Sequence, residues 1–275
     1  MKPYLIDSHA HLQFAAYDKD REAVLMRMKE KNIWAINIGS NFELSQKAVD
    51  LAQKYNFLYA VIGLHPIHLF ESNDFNEGET KPEFFEKDKF EKLVKNEKVV
   101  GIGECGLDYF HNHQEKDKQK EEFKKQIEFA KEFQKSLVLH LRAYKNLDAY
   151  YDALEILKNF GFNEKNKRSG VVHFFSADLN IAKEFLKIGF YIAFPGVITF
   201  GNFYDKIIFD LPLEKILVET DCPYVSPVPF RRKRNEPIFV EFVAKKIAEI
   251  KKLPLEKVAE QTVFNTKELF NLDYE

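Results

Sequence analysis

The segment Asp7-Ser8-His9-Ala10-His11 ends a short apolar run, Tyr4–Asp7, with two imidazoles one residue apart. Alternate residues of a β-strand face the same side, so His9 and His11 can point together at one ion. Neutral imidazole is the commonest protein ligand for a metal near pH 7. Spacing alone does not set this pair apart from His111-Asn112-His113, which has the same form. Position does. Ligand-type side chains recur at, or just after, the C-terminal ends of successive apolar runs: His9 and His11 at the first, His65 after the third, Glu104 at the fourth, His140 at the fifth, His173 in the sixth and Asp221 after the eighth. His111 and His113 instead lead into the polar stretch Gln114–Glu122 and read as loop or helix-entry surface.

The elements that must carry these residues alternate. Strand-like runs fall at Tyr4–Asp7, Ile33–Ile38, Leu58–Gly63, Val99–Gly103, Leu137–His140, Val171–Phe174, Phe190–Phe194 and Ile216–Glu219. Amphipathic helical patterns lie between them at Asp20–Lys31, Phe42–Tyr55, Gln114–Gln134, Ala143–Phe160 and Asn180–Lys187. Alternation of this kind predicts an α/β fold with a parallel sheet, and eight strands predict a closed (β/α)8 barrel. No G-x-G-x-x-G follows the first strand, which disfavours a dinucleotide-binding sheet. With no Pro/Gly/Ser-rich linker, residues 1–275 read as one domain. Ile238–Leu272 reads as a closing helical pair broken at Pro254.

In such a barrel the C-terminal strand ends open on one mouth, where active sites form. Residues spread over two hundred positions thus converge. Four histidines and two carboxylates are too many ligands for one tetrahedral structural zinc. They suit two divalent ions with Glu104 as a bridging carboxylate. Two such ions ~3.5–4 Å apart activate a water and stabilise charge on the substrate, which is the chemistry of phosphoester or amide hydrolysis. Cys105 and Cys222 adjoin Glu104 and Asp221, but a strand neighbour faces the other way, so both are expected to pack in the core.

The composition sets limits. A net charge of −2 with 31% charged residues excludes a strongly basic chromatin-like binder, not an enzyme with a local anion site. Two cysteines make a disulfide framework unlikely. Neither a secretory signal nor a membrane-length apolar stretch is present, so a cytoplasmic location, with no membrane and no obligate protein partner, is the expectation.

The motifs D-S-H-A-H at 7–11, G-L-H-P at 63–66, G-E-C-G-L-D at 103–108, H-L-R at 140–142, H-F-F-S at 173–176, E-T-D-C-P-Y at 219–224 and R-N-E-P at 234–237 resemble those of the TatD-type metal-dependent deoxyribonucleases, in the amidohydrolase superfamily. The resemblance implies a TIM barrel that hydrolyses DNA phosphodiester bonds, commonly as an exonuclease. It implies a first divalent ion (Zn, Mg or Mn) on His9, His11, Asp221 and Glu104. A second would sit on Glu104, His140 and His173, and a third, looser one near His65 and Glu104 is compatible with turnover. Asp221 would accept the proton of the attacking water, and His65 and Arg142 would contact the substrate phosphate. Asp7 would take a structural role. Ile67 and Arg232 depart from the usual pattern, where a second histidine and a glycine are common. The acidic stretch Glu71–Glu83 is longer than usual; it reads as a solvated surface insertion, the alternative being that it overhangs the mouth, where it would repel a polyanion. Two rivals remain at this stage. One is a hydrolase of a small phosphoester, cyclic amide or lactone on the same scaffold. The other is a non-catalytic nucleic-acid-binding protein that keeps the metal site and uses Arg231–Arg234.

Overall fold

Continuous apolar runs suit strands covered on both faces, as parallel strands must be. Eight of them form one parallel sheet in sequence order: β1 (Leu5–Ala10), β2 (Ile33–Ile38), β3 (Leu58–Ile62), β4 (Val99–Asp108), β5 (Ser136–Arg142), β6 (Gly170–Val172), β7 (Phe190–Phe194) and β8 (Ile216–Val218). The computed structural model describes residues 2–74, 76–166 and 168–272. Beyond the strand ends the sheet closes on itself. Asp221 N–H donates to His9 O at 2.9 Å and His11 N–H to Cys222 O at 2.9 Å. Asp7 fastens the same seam, accepting from Thr220 N–H at 2.8 Å. The barrel expected from the alternation is therefore the fold.

Helices α1 (Arg21–Glu30), α2 (Phe42–Lys54), α3 (Lys87–Val94), α4 (Lys116–Glu132), α5 (Ala149–Asn159), α6 (Leu179–Lys187), α7 (Asp205–Asp210), α8 (Val240–Lys251) and α9 (Leu255–Phe270) surround it. Several start on side chains suited to the first free N–H groups of a helix: Asn41 on α2, Asp148 on α5 and Asp178 on α6. Pro254 separates α8 from α9, as its lack of an N–H requires. Among the described residues no helix is long and apolar enough to cross a membrane.

Several boundaries differ from the sequence expectation: β1 runs on to Ala10, β5 on to Arg142, and α5 starts only at Ala149 rather than at Ala143. β4 runs five residues past Gly103, and β6 stops at Val172, which leaves His173 in the turn after it. Glu71–Glu83 is not simply a solvated insertion. It contains a two-stranded hairpin, residues 72–74 with 78–80, and Ala16 N–H bonds Asn76 O at 3.3 Å, so it folds back over the β1 loop.

Candidate metal centre

Backbone irregularities aim the polar side chains. β1 carries one extra residue against β2 between Asp7 and Ala10, beside His9. β4 carries one against β5 between Ile102 and Cys105, beside Glu104. Such bulges re-aim a side chain without ending the strand. The second bulge depends on glycine: Gly103 has φ +153°, and a Cβ there would lie 2.5 Å from Val138 O. Asp221 sits in the left-handed region at φ +56°, which aspartate tolerates better than most residues.

Four atoms converge at the first position. His9 Nε2 lies 3.1 Å from His11 Nε2 and 3.3 Å from Glu104 Oε2. His11 Nε2 lies 3.4 Å from Asp221 Oδ1, with the remaining His–carboxylate distances 3.8 and 3.9 Å. A tetrahedral ion with bonds of about 2.0–2.2 Å would separate its ligands by roughly 3.3–3.6 Å. His11 Nδ1 is 2.8 Å from the Ile38 carbonyl, which can only accept. The proton of the neutral ring is therefore on Nδ1, and its Nε2 lone pair faces the cluster. Burial, then the charge of His173, pushes His9 down to about 4, so that ring is neutral at pH 7, whereas on His11 burial is outweighed by Asp221 and Glu104, which raise it above its ordinary value. Two imidazole nitrogens and two carboxylate oxygens turned on one point fit a cation.

The other oxygen of Glu104 faces a different set. Oε1 lies 2.9 Å from His140 Nδ1, 3.4 Å from His65 Nε2 and 3.6 Å from His173 Nε2. Behind these rings stand two carboxylates that sequence reasoning left without a role. Asp108 Oδ2 is 3.0 Å from His140 Nε2. Glu219 Oε1 is 3.0 Å from His173 Nδ1, an ion-pair contact rather than an aligned hydrogen bond. A carboxylate behind a ligand histidine fixes its tautomer and raises its basicity. Burial opposes charge on both rings, but Asp108 and Glu104 raise His140 to about 10, and Glu219 and Glu104 raise His173 to about 9. Burial would likewise raise Glu104 and Asp221. The surrounding imidazoles outweigh it and hold both below their ordinary values.

His65 differs from the others. Its Nδ1 accepts the Ile67 N–H at 3.1 Å, so the neutral ring carries its proton on Nε2. That atom faces the site as a donor, not a lone pair. Arg142 lines the same cavity, which has a volume of about 560 Å³, with no ion pair to the cluster among the described residues. Its guanidinium rests 4.0 Å above the Phe110 ring.

His9, His11, His65, Glu104, His140, His173 and Asp221 are thus brought together as expected, with Arg142 at the rim. His111 is not the plain surface residue expected from its flanks. It lines the cavity, and its Nδ1 lies 2.7 Å from Asp108 Oδ2, the oxygen that also backs His140. Glu77 reaches the cavity from the hairpin and pairs with buried His68 at 2.8 Å. Asp7 accepts from His9 N–H and from Thr220 and is pushed by burial to about 8, in keeping with a structural role. Cys105 and Cys222 are buried free thiols, both raised by burial.

Comparison with known proteins places the chain in a family. The family model of TatD-related DNases matches residues 6–271. An uncharacterized metal-dependent hydrolase of Bacillus subtilis, YabD, is 37% identical over 98% of this chain and 100% of its own. Another from Escherichia coli K12, YcfH, is 31% identical over 98% of this chain and 97% of its own. The crystal structure of the TatD homologue YjjV of Escherichia coli superposes with a TM-score of 0.85 at 28% identity, covering 99% and 100% of the two chains.

Proposed function

The chain belongs to the family of TatD-related, metal-dependent hydrolases, and from that premise we propose that it is a deoxyribonuclease working with two divalent cations. His9, His11, Asp221 and Glu104 Oε2 would hold the first, and Glu104 Oε1, His140 and His173 the second. The observation that carries this reading is the division of Glu104, whose Oε2 is 3.3 Å from His9 and whose Oε1 is 2.9 Å from His140. Imidazole and carboxylate together suit zinc or manganese by ligand softness and leave magnesium open. Bound there, the cations supply Lewis-acid polarisation of the phosphate and acidify a water.

The chain's own residues do the rest. Asp221 is held below its ordinary pKa, so at neutral pH it is a carboxylate able to take the proton of the attacking water. His65 donates from Nε2 to a phosphate oxygen. Arg142 offers a planar fork to two more, and its stacking on Phe110 limits the rotamer freedom lost on binding. Glu77 walls the cavity on the hairpin side, which favours a strand end over a duplex running through and supports exonuclease-like action.

The test is hydrolysis of labelled single- and double-stranded DNA, RNA and small phosphodiesters across Mg²⁺, Mn²⁺ and Zn²⁺, with Glu104→Ala as control. Metal-dependent DNA cleavage that disappears in the folded variant is expected. No metal-dependent hydrolysis of any substrate would sink the proposal. Cleavage of small phosphodiesters alone would redirect it to a small-molecule substrate.

A further inference from the structure

The loops after β7 and β8 form one surface beside the mouth. Val228 N–H donates to Thr199 Oγ1 at 2.9 Å. Gly196 packs so closely that a Cβ on it would lie 2.6 Å from Val225 O. The second loop leaves the catalytic cavity directly, since Tyr224 and Val225 line it. From there the surface runs outward over exposed Val228, Phe200 and Phe203, the last 73% exposed.

Cations interleave with these aromatics. The Arg231 guanidinium lies 4.2 Å above the Phe200 ring, and the Lys233 ammonium 5.7 Å from the Phe230 centroid. Arg232 is exposed at φ +69°, a backbone conformation glycine would adopt without steric cost. No hydrogen bond or ion pair engages Arg231 or Arg232 among the described residues. Arg234 is different. It forks onto Asp20 at 2.7 and 2.7 Å, donates to Ala16 O and stacks on Tyr17, so its charge is already spent on the fold.

The opposite rim has the other sign. β3 stands four places from β7 in the ring, and the hairpin insertion that follows β3 brings Glu77 to the cavity on that side. A polyanion is repelled from the β3 rim and drawn to the β7–β8 rim. Flat exposed rings beside free arginines match a ligand with an anionic backbone and unpaired bases.

Resting on the nuclease reading above, we propose that Phe200, Phe203, Arg231, Arg232 and Lys233 form a docking track for single-stranded DNA. The track holds the strand behind the scissile bond and feeds its end into the cavity. Bases stack on Phe203 and on the Phe200–Arg231 pair, and Arg232 and Lys233 follow the phosphates. A duplex, with its bases hidden, gains only the phosphate contacts. The strand stops at the Glu77 wall.

The test compares metal-loaded wild type with R231E/R232E and with F203A, on a dinucleotide and on an oligonucleotide of about 20 residues. On the long single strand, kcat/KM should fall roughly tenfold or more in either variant. Loss of the Arg232 phosphate contact should flatten the dependence of log affinity on log salt by about 0.7. Dinucleotide hydrolysis should stay within about twofold, because neither variant touches the cavity. Equal effects on both lengths, or none on the long strand, would overturn the track, as would a loss on duplex as large as on single strand. Binding is read separately, by anisotropy of a labelled phosphorothioate strand that resists hydrolysis. If wild type cleaves nothing, the nuclease reading fails whatever this binding shows. If it cleaves DNA but the variants bind the strand normally, only the track fails. Capture of anionic vesicles lost in R231E/R232E, with oligonucleotide kinetics unchanged, would reassign the surface to membranes and overturn it too.

Discussion

Asp108→Asn tests the division of Glu104 most directly. The substitution keeps shape and volume but removes the charge behind His140, whose Nε2 lies 3.0 Å from Asp108 Oδ2. The carboxylate works on one side only. It touches His140 and His111, whereas His11 rests on the Ile38 carbonyl. Outer carboxylates of this kind are worth about 10–100-fold in metal affinity, or roughly 1.4–2.7 kcal/mol. That loss should fall on the cation proposed between Glu104 Oε1, His140 and His173. The cation at His9 and His11 should change by no more than about twofold. The assay is competitive titration of the metal-free protein against a chromophoric chelator, where two sites give two steps. In Asp108→Asn one step weakens and the other stays. If both steps weaken equally, Asp108 supports the barrel mouth in general. If neither moves, the second position does not use His140 at all.

Other expectations follow from the same geometry. His140 and His173, raised to about 10 and about 9, are protonated in the metal-free protein at pH 7.5, and a ligand nitrogen must lose its proton. Binding should therefore release about two protons at pH 7.5 and progressively fewer as pH rises through 9 and 10. Calorimetry in buffers of different ionisation enthalpy reads this, and constant release up to pH 11 would refute it. His65→Ala should lower kcat/KM for a phosphodiester about 10–100-fold with metal content unchanged, since its Nε2 faces the site as a donor. Loss of a metal ion in that variant would instead make Nε2 a ligand. Gly103→Ala places a Cβ 2.5 Å from Val138 O at φ +153°, so it should cost at least about 2 kcal/mol and lower Tm by roughly 4–8 °C. An unchanged melting curve would mean that the bulge beside Glu104 is not held as described.

The barrel was legible because each strand is a largely apolar run, and six of the eight carry a ligand-type residue at or just after one end. That shows in composition without any contact being known. The same logic found His9, His11, Glu104, His140, His173 and Asp221. It ended β4 at Gly103, however, because glycine weakens a strand. In the structure that glycine instead permits a bulge, and the strand continues to Asp108. Carried five residues further, alternation would have set Asp108 on the face of Glu104. Glu219 was likewise open to parity, two residues before Asp221. His111 and Glu77 were not. They reach the cavity through a helix-entry turn and a hairpin tip, and only the folded path brings them near strands that lie far away in sequence.

The spacing of charge at the mouth explains how a chain with a net charge of −2 could engage DNA. Glu104, Asp221, Asp108 and Glu219 contribute four negative charges around the cluster, which protons on His140 and His173, with His11 also raised above its ordinary value, only partly offset in the metal-free protein. Two divalent cations in place of those two protons would bring the cluster to neutrality. The metal-free mouth is therefore repulsive to a phosphate, and the proposed metal occupancy becomes a condition for substrate binding as well as for chemistry. Neutrality alone attracts nothing. Net attraction must come from cations outside the cluster, and Arg142, Arg231, Arg232 and Lys233 stand at the rim without a carboxylate partner among the described residues. Electrostatics thus divides the work: the buried centre removes a barrier, and the rim supplies the pull and its direction.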